Sequence, residues 1–144
     1  MKIAVVHGPN LRLLGQREPE VYGTDTLDDV NERIRALADE LGVEVEFFQS
    51  NHEGELLDFL EACAPRVRGI VINPGAYTHT SIALRDGLVG IDRPFVEVHL
   101  SNTAARERFR RHSYLSPVAS GVVYGFGVES YLLGLQGLVA RLRD

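Results

Sequence analysis

Lys2-Ile-Ala-Val-Val-His-Gly-Pro-Asn10 is the stretch on which the fold turns. Its centre, Ile3–Val6, is apolar at every position rather than every second one, and Gly8-Pro9 stops it. A short unbroken run of this kind reads as a strand buried on both faces, the habit of parallel sheets covered by helices. Gly69-Ile-Val-Ile72 repeats the pattern and ends in Asn73-Pro74-Gly75. Val43–Phe47 alternates instead, as a half-buried edge strand does. Phe95–Leu100 and Gly121–Tyr124 bring the strands to five.

Helical patterns lie between them. Leu27, Val30, Ile34, Leu37 and Leu41 recur at steps of three and four, one face of a helix. Thr26 and Asp29 resemble a capping box at its start, and Gly42 stands where a C-cap belongs. Glu53–Ala64, stopped by Pro65, with Ser81–Val89 and Val128–Leu142, supply three more. The alternation predicts an α/β fold: a flavodoxin-like, doubly wound, five-stranded parallel sheet in order 2-1-3-4-5 with helices on both faces. The chain has 144 residues and no repeat, linker or low-complexity segment, so it reads as one domain spanning 1–144. Residues 8–25, eighteen in all, have no periodicity. Such long loops in compact domains are usually functional or disordered, and an active-site lid is expected here, with a plain surface loop as the alternative.

Composition removes several classes of function. Net charge is −5 and the only basic cluster is Arg106–Arg111, so no nucleic-acid partner is expected. No apolar run approaches the roughly 18 residues that cross a bilayer, and the first ten residues do not read as a signal peptide. No membrane partner and a cytoplasmic location are therefore expected. Cys63 is the only cysteine, which excludes an internal disulfide and suits a reducing compartment. Lys2 is the only lysine. It opens the first strand, whereas open α/β sheets bind ligands at the other end. Schiff-base chemistry is thereby disfavoured, and no Walker-type phosphate loop exists. The five histidines fall in separate elements without metal-ligand spacing, and no metal is expected.

Polar residues converge where the crevice of such a sheet must lie. The first strand delivers His7 and Asn10; the third delivers Asn73, with Thr78 and His79 just beyond; the fourth carries Glu97 and His99, then Ser101 and Asn102. Glu97 and His99 share a side of their strand. A carboxylate beside an imidazole favours its charged form and fixes its orientation, as a general acid requires. Blander readings stay open for each residue. The pair could merely anchor a strand end, His79 could be an ordinary loop histidine, and Tyr22 a packed aromatic. The Arg106–Arg111 run could be a solvated face with one arginine turned inward to an anion.

Four stretches together are more specific. Gly8–Gly23 (GPNLRLLGQREPEVYG), Asn73–Ser81 (NPGAYTHTS), Glu97–Asn102 (EVHLSN) and Ala105–Ser113 (ARERFRRHS) resemble the type II 3-dehydroquinate dehydratases, in order and over essentially the whole chain. The resemblance implies a cofactor-free anti elimination of water from 3-dehydroquinate to 3-dehydroshikimate in the shikimate pathway. It implies that Tyr22 accepts the C2 proton, that Arg17 lowers the pKa of Tyr22, and that Asn10 holds a water on the enolate. It implies that His99, oriented by Glu97 and Asn73, protonates the departing hydroxyl. Leu100 and Ser101 amides would bind the substrate carboxylate, and Asn73, His79 and Arg110 the ring hydroxyls. Asp86 would reach a neighbouring subunit's site, in trimers assembled into a dodecamer.

Physical chemistry agrees with these roles. Ionising a tyrosine at pH 7 costs about 4 kcal/mol, and a permanently charged guanidinium is the natural partner to lower that. His7, Arg12 and Thr103-Ala104 depart from the family's usual residues, at positions with no chemical role in this scheme. The rival reading is a non-catalytic, flavodoxin-like module that binds a small anion; it would keep Asn73, Ser101 and Arg110 without needing Arg17 and Tyr22.

Overall fold

Each apolar run becomes a strand of a single parallel sheet in the computed structural model, which describes residues 1–16 and 18–144, the side chains of Val21 and Tyr22 excepted. β1 (Lys2–His7), β2 (Glu44–Gln49), β3 (Gly69–Asn73), β4 (Phe95–His99) and β5 (Gly121–Tyr124) stand in the order β2-β1-β3-β4-β5, as expected. Register pairs His7 with Asn73 at the carboxyl ends of β1 and β3, and His99 with Tyr124 at those of β4 and β5.

Side-chain alternation sorts two cores. Ile3, Val5, Val71, Val96 and Val98 face α2 (Leu27–Leu41) and α5 (Glu129–Leu142). Ala4, Val6, Ile70, Ile72 and Phe95 face α3 (Glu53–Cys63) and α4 (Ile82–Gly90). The central strands β1, β3 and β4 are buried on both sides, which is why they carry no alternation in sequence. β5 differs from the expectation of a buried strand. Val122 and Tyr124 are 37% and 42% exposed, because no helix of the described residues covers that end of the α3/α4 face.

Local signals act as read. Thr26 Oγ1 accepts the Asp29 N–H at 3.1 Å while the Asp29 carboxylate accepts the Thr26 N–H at 3.0 Å, closing the capping box. Ser81 caps α4 by accepting the Leu84 N–H at 2.8 Å. Gly134 is needed for α5 to lie close on the sheet: a Cβ there would stand 2.7 Å from Val98 Cγ1, whereas Gly137 faces open space. The 8–25 loop is less irregular than its sequence suggests. It holds one 3₁₀ turn at Leu11–Leu13 and one α-helical turn, α1 (Pro19–Tyr22), opened by Pro19 and closed by Gly23.

Candidate functional site

A cleft opens at the carboxyl ends of β1, β3 and β4, where the strand order reverses. Asn10 and Leu11 border it from the first loop, Asn73 and His79 from the second, and His99, Leu100 and Ser101 from β4 onward; Arg106 and Arg110 close it. Nine of the expected site residues fall on the described chain with their side chains. Seven of them meet here (Asn10, Asn73, His79, His99, Leu100, Ser101 and Arg110), with Glu97 directly behind His99. Asp86 lies on the exposed face of α4, away from this cleft. Arg17, and the side chain of Tyr22, lie outside the described residues.

Backbone geometry brings the loops together. Gly8 follows β1 so closely against the next loop that a Cβ would sit 2.5 Å from the Pro74 carbonyl oxygen. Its N–H donates to the Asn73 carbonyl at 2.8 Å. Asn10 takes a left-handed conformation, φ 69°, which asparagine tolerates better than most residues. Its N–H donates to Asn51 Oδ1 at 3.0 Å, and the Tyr77 hydroxyl donates to the Asn51 carbonyl at 2.6 Å. Gln49 Nε2 donates to the Gly8 carbonyl at 3.0 Å. Asn51, Gln49 and Tyr77 were not anticipated as site supports. Gln49 ends β2, Asn51 follows it and Tyr77 follows β3, and this place at the same end of the sheet was the available signal.

The Glu97–His99 pair forms as the shared strand face requires. His99 Nε2 lies 2.5 Å from Glu97 Oε2, and the two residues are 8% and 1% exposed. Burial opposes a charge on Glu97, yet the His99 hydrogen bond and charge, with the Ser116 and Thr78 hydroxyls, hold its carboxyl below the ordinary value. Nδ1 is the ring nitrogen that Glu97 does not take, in a residue that lines the cleft. The arrangement suits proton transfer at the cleft wall.

His79 is half-buried and its Nδ1–H donates to the His112 carbonyl at 2.7 Å. Burial lowers its pKa, the His112 carbonyl opposes this, and the nearby charges of His99 and Arg110 lower it further. A neutral ring so fixed presents Nε2 as an acceptor. Arg110 is paired with Glu107 at 2.5 Å, and Arg106 Nη1 donates to Ser101 Oγ at 3.2 Å. Two arginines of the basic run thus border the cleft, where one was considered, while Arg108 and Arg111 face solvent.

Asn73 and His7 sit differently from what sequence alone suggested. Asn73 is not shown bonded to His99: its Oδ1 accepts the Gly75 N–H at 3.1 Å, and its amide bonds Tyr131 on α5. Alternation sends Asn73 to the α2/α5 face and His99 to the other. His7, at a position given no chemical role, is a fully buried hub. Asn31 Oδ1, an acceptor, lies 2.8 Å from Nε2, so that nitrogen carries the proton and Nδ1 accepts from the Tyr131 hydroxyl at 2.8 Å. Burial drives His7 down to about 4, against the opposing Asn31 bond.

Comparison with known proteins follows the same line. The family model described as dehydroquinase class II matches residues 1–139. A 3-dehydroquinate dehydratase of Geotalea daltonii is 54% identical over 143 residues, covering 99% of each chain. Another, of Prochlorococcus marinus, is 53% identical over 143 residues, again 99% of each. The crystal structure of a type II dehydroquinase from Butyrivibrio crossotus superposes with a TM-score of 0.93 at 41% identity, covering 96% of this chain and 97% of that one.

Proposed function

The chain belongs to the class II dehydroquinase family, and from that premise we propose that it removes water from 3-dehydroquinate to give 3-dehydroshikimate. The observation that carries this reading is the Glu97–His99 pair facing the strand-end cleft. Tyr22, helped by Arg17, takes the proton from C2 and the electron pair enters the neighbouring carbonyl as an enolate. A water held by Asn10 stabilises that oxygen. The enolate then expels the C1 hydroxyl, which leaves as water with a proton from His99. Glu97 orients His99. Leu100 and Ser101 amides hold the substrate carboxylate, and Asn73, His79 and Arg110 hold the ring hydroxyls. Residues 8–25 close as a lid, so the base is assembled over bound substrate.

The whole chain acts as one catalytic unit, in the cytoplasm, as trimers assembled into a dodecamer in which Asp86 serves a neighbour's site. Among the described residues no helix is long and apolar enough to cross a membrane. Val122, Tyr124 and Phe126, exposed at the β5 end, support self-association there.

A continuous ultraviolet assay with 3-dehydroquinate, before and after borohydride treatment, tests the reading. Turnover that survives borohydride is the expected result. Turnover lost to borohydride overturns the lysine-free route, and tight binding without turnover makes the chain the anion-binding module. Tyr22→Phe is expected to abolish turnover with substrate affinity within a few-fold; equal loss of both removes Tyr22 as the base.

A further inference from the structure

Glu97 is surrounded by more donors than His99 alone. The Thr78 hydroxyl donates to Oε2 at 2.8 Å, Ser116 donates to Oε1 at 2.7 Å, and Ser113 Oγ lies 3.0 Å from both carboxylate oxygens. The direction of the Ser113 bond follows from its other contacts. Its oxygen accepts the N–H groups of Leu115 at 3.0 Å and Ser116 at 3.1 Å, which occupies its lone pairs. Its single proton therefore points to Glu97 or to Thr78 Oγ1, which lies 2.5 Å away, and either way ties Ser113 to the carboxylate or to the hydroxyl that donates to it. The three hydroxyls come from two loops, the one after β3 and the one before β5. Ser113 stands in the fourth matched stretch of sequence, yet no step of the reaction uses it.

We propose that Thr78, Ser113 and Ser116 form a hydroxyl clamp that fixes the Glu97 carboxylate as the acceptor for His99 Nε2, and so positions the acid for proton transfer. The inference rests on the reading of His99 as proton donor. Three hydroxyls and a ring nitrogen converge on two oxygens; Thr78, Ser116 and the ring supply bonds that strengthen on an ionised acceptor, and Ser113 lies within reach of both oxygens and of Thr78. A protonated Glu97 would have to turn its own O–H toward one of these donors, and that donor would lose its acceptor. The low carboxyl pKa agrees with this arrangement. The other titratable or charged side chains bordering the cleft behind Glu97 are His79, Arg110, Arg111, His112 and Tyr124; its hydrogen bonds among the described residues go to the clamp and His99. These three are positioning residues, since they act through Glu97.

The test uses Thr78→Val, Thr78→Ser, Ser116→Ala and the Thr78→Val/Ser116→Ala pair. Ser113 is set aside because it also holds two backbone N–H groups. Each variant is assayed for kcat, KM and the acid limb of the kcat–pH profile, with thermal unfolding alongside. Losing two charge-assisted bonds should lower kcat of the double variant by about ten- to a hundredfold, with KM within about threefold. The acid limb should move to higher pH, and Thr78→Ser should restore the wild-type profile. A double variant with unchanged kcat and acid limb overturns the proposal, as does a loss matched by the unfolded fraction. His99→Ala in the same series separates the premises: if it keeps turnover, the proton-donor reading fails; if it collapses while the clamp variants do not, only the clamp fails.

Discussion

His7 and His99 hold the same place in two parallel strands, each the last residue of its strand, and they share nothing else. His7 turns to the α2/α5 face, 0% exposed, between the Tyr131 hydroxyl and the Asn31 amide, both neutral. His99 turns to the opposite face, 8% exposed, against a carboxylate and bordering the cleft. Burial among neutral partners locks one imidazole in a single tautomer and makes it a structural joint. A carboxylate and access to the cleft make the other a proton carrier. Strand position does not decide between these fates; the charge of the bonded neighbour and the reach of solvent do.

The contrast can be broken from either side. His99→Ala should lower kcat about a thousandfold in steady-state assays. Its melting temperature should stay within a few degrees, because the Thr78 and Ser116 hydroxyls still satisfy Glu97. A loss under tenfold would erase the functional half of the comparison. His7→Leu strands the Tyr131 hydroxyl and the Asn31 carbonyl, and urea unfolding should show a loss of roughly 2–4 kcal/mol. Its kcat per folded enzyme should hold within about fivefold; a larger change would mean that His7 also acts in the reaction.

Acid sharpens the same difference. His7 falls from the ordinary 6.5 to about 4 on folding, so the unfolded chain binds its proton first as pH drops. Its contribution, roughly 3 kcal/mol, is complete above pH 6.5 and lost as pH falls toward 4. Urea unfolding between pH 4 and 7 should therefore be steeper in pH for the native chain than for His7→Asn, and equal slopes would refute the cause. The smallest effect concerns β4 itself. Gly134→Ala presses on Val98, which lies between Glu97 and His99 but on the other face. It should cost about 1–2 kcal/mol of stability and leave kcat unchanged, showing that the two faces act independently.

Much of this was legible in the chain. Unbroken apolar runs at Ile3–Val6 and Gly69–Ile72 foretold the buried central strands, since a strand covered on both sides has no polar face to show. Thr26 and Asp29 foretold a helix start because both ends of that device lie three residues apart. The Glu97–His99 contact needed only the two-residue period of a strand. What stayed hidden depends on distance along the chain. His7 meets Tyr131 across 124 positions, and Ser113 meets Thr78 across 35, spacings with no local pattern. Gln49 and Asn51 act through bonds to and beside backbone, for which many polar residues would serve. The helical turn at Pro19–Tyr22 is four residues long, too short for periodicity, although Pro19 and Gly23 mark its ends.

Lys2 has a practical bearing on how such experiments are mounted. It begins β1, and the cleft lies beyond the other end of that strand, about 20 Å away at the rise of an extended chain. It is the only lysine among the 144 residues, so reagents that attack side-chain amines have Lys2 alone to choose. Lys2 lies at the end of the sheet opposite the cleft. Coupling through that side chain to an amine-reactive sensor surface should thus tether the molecule by its base, with the cleft turned outward to a flowing ligand.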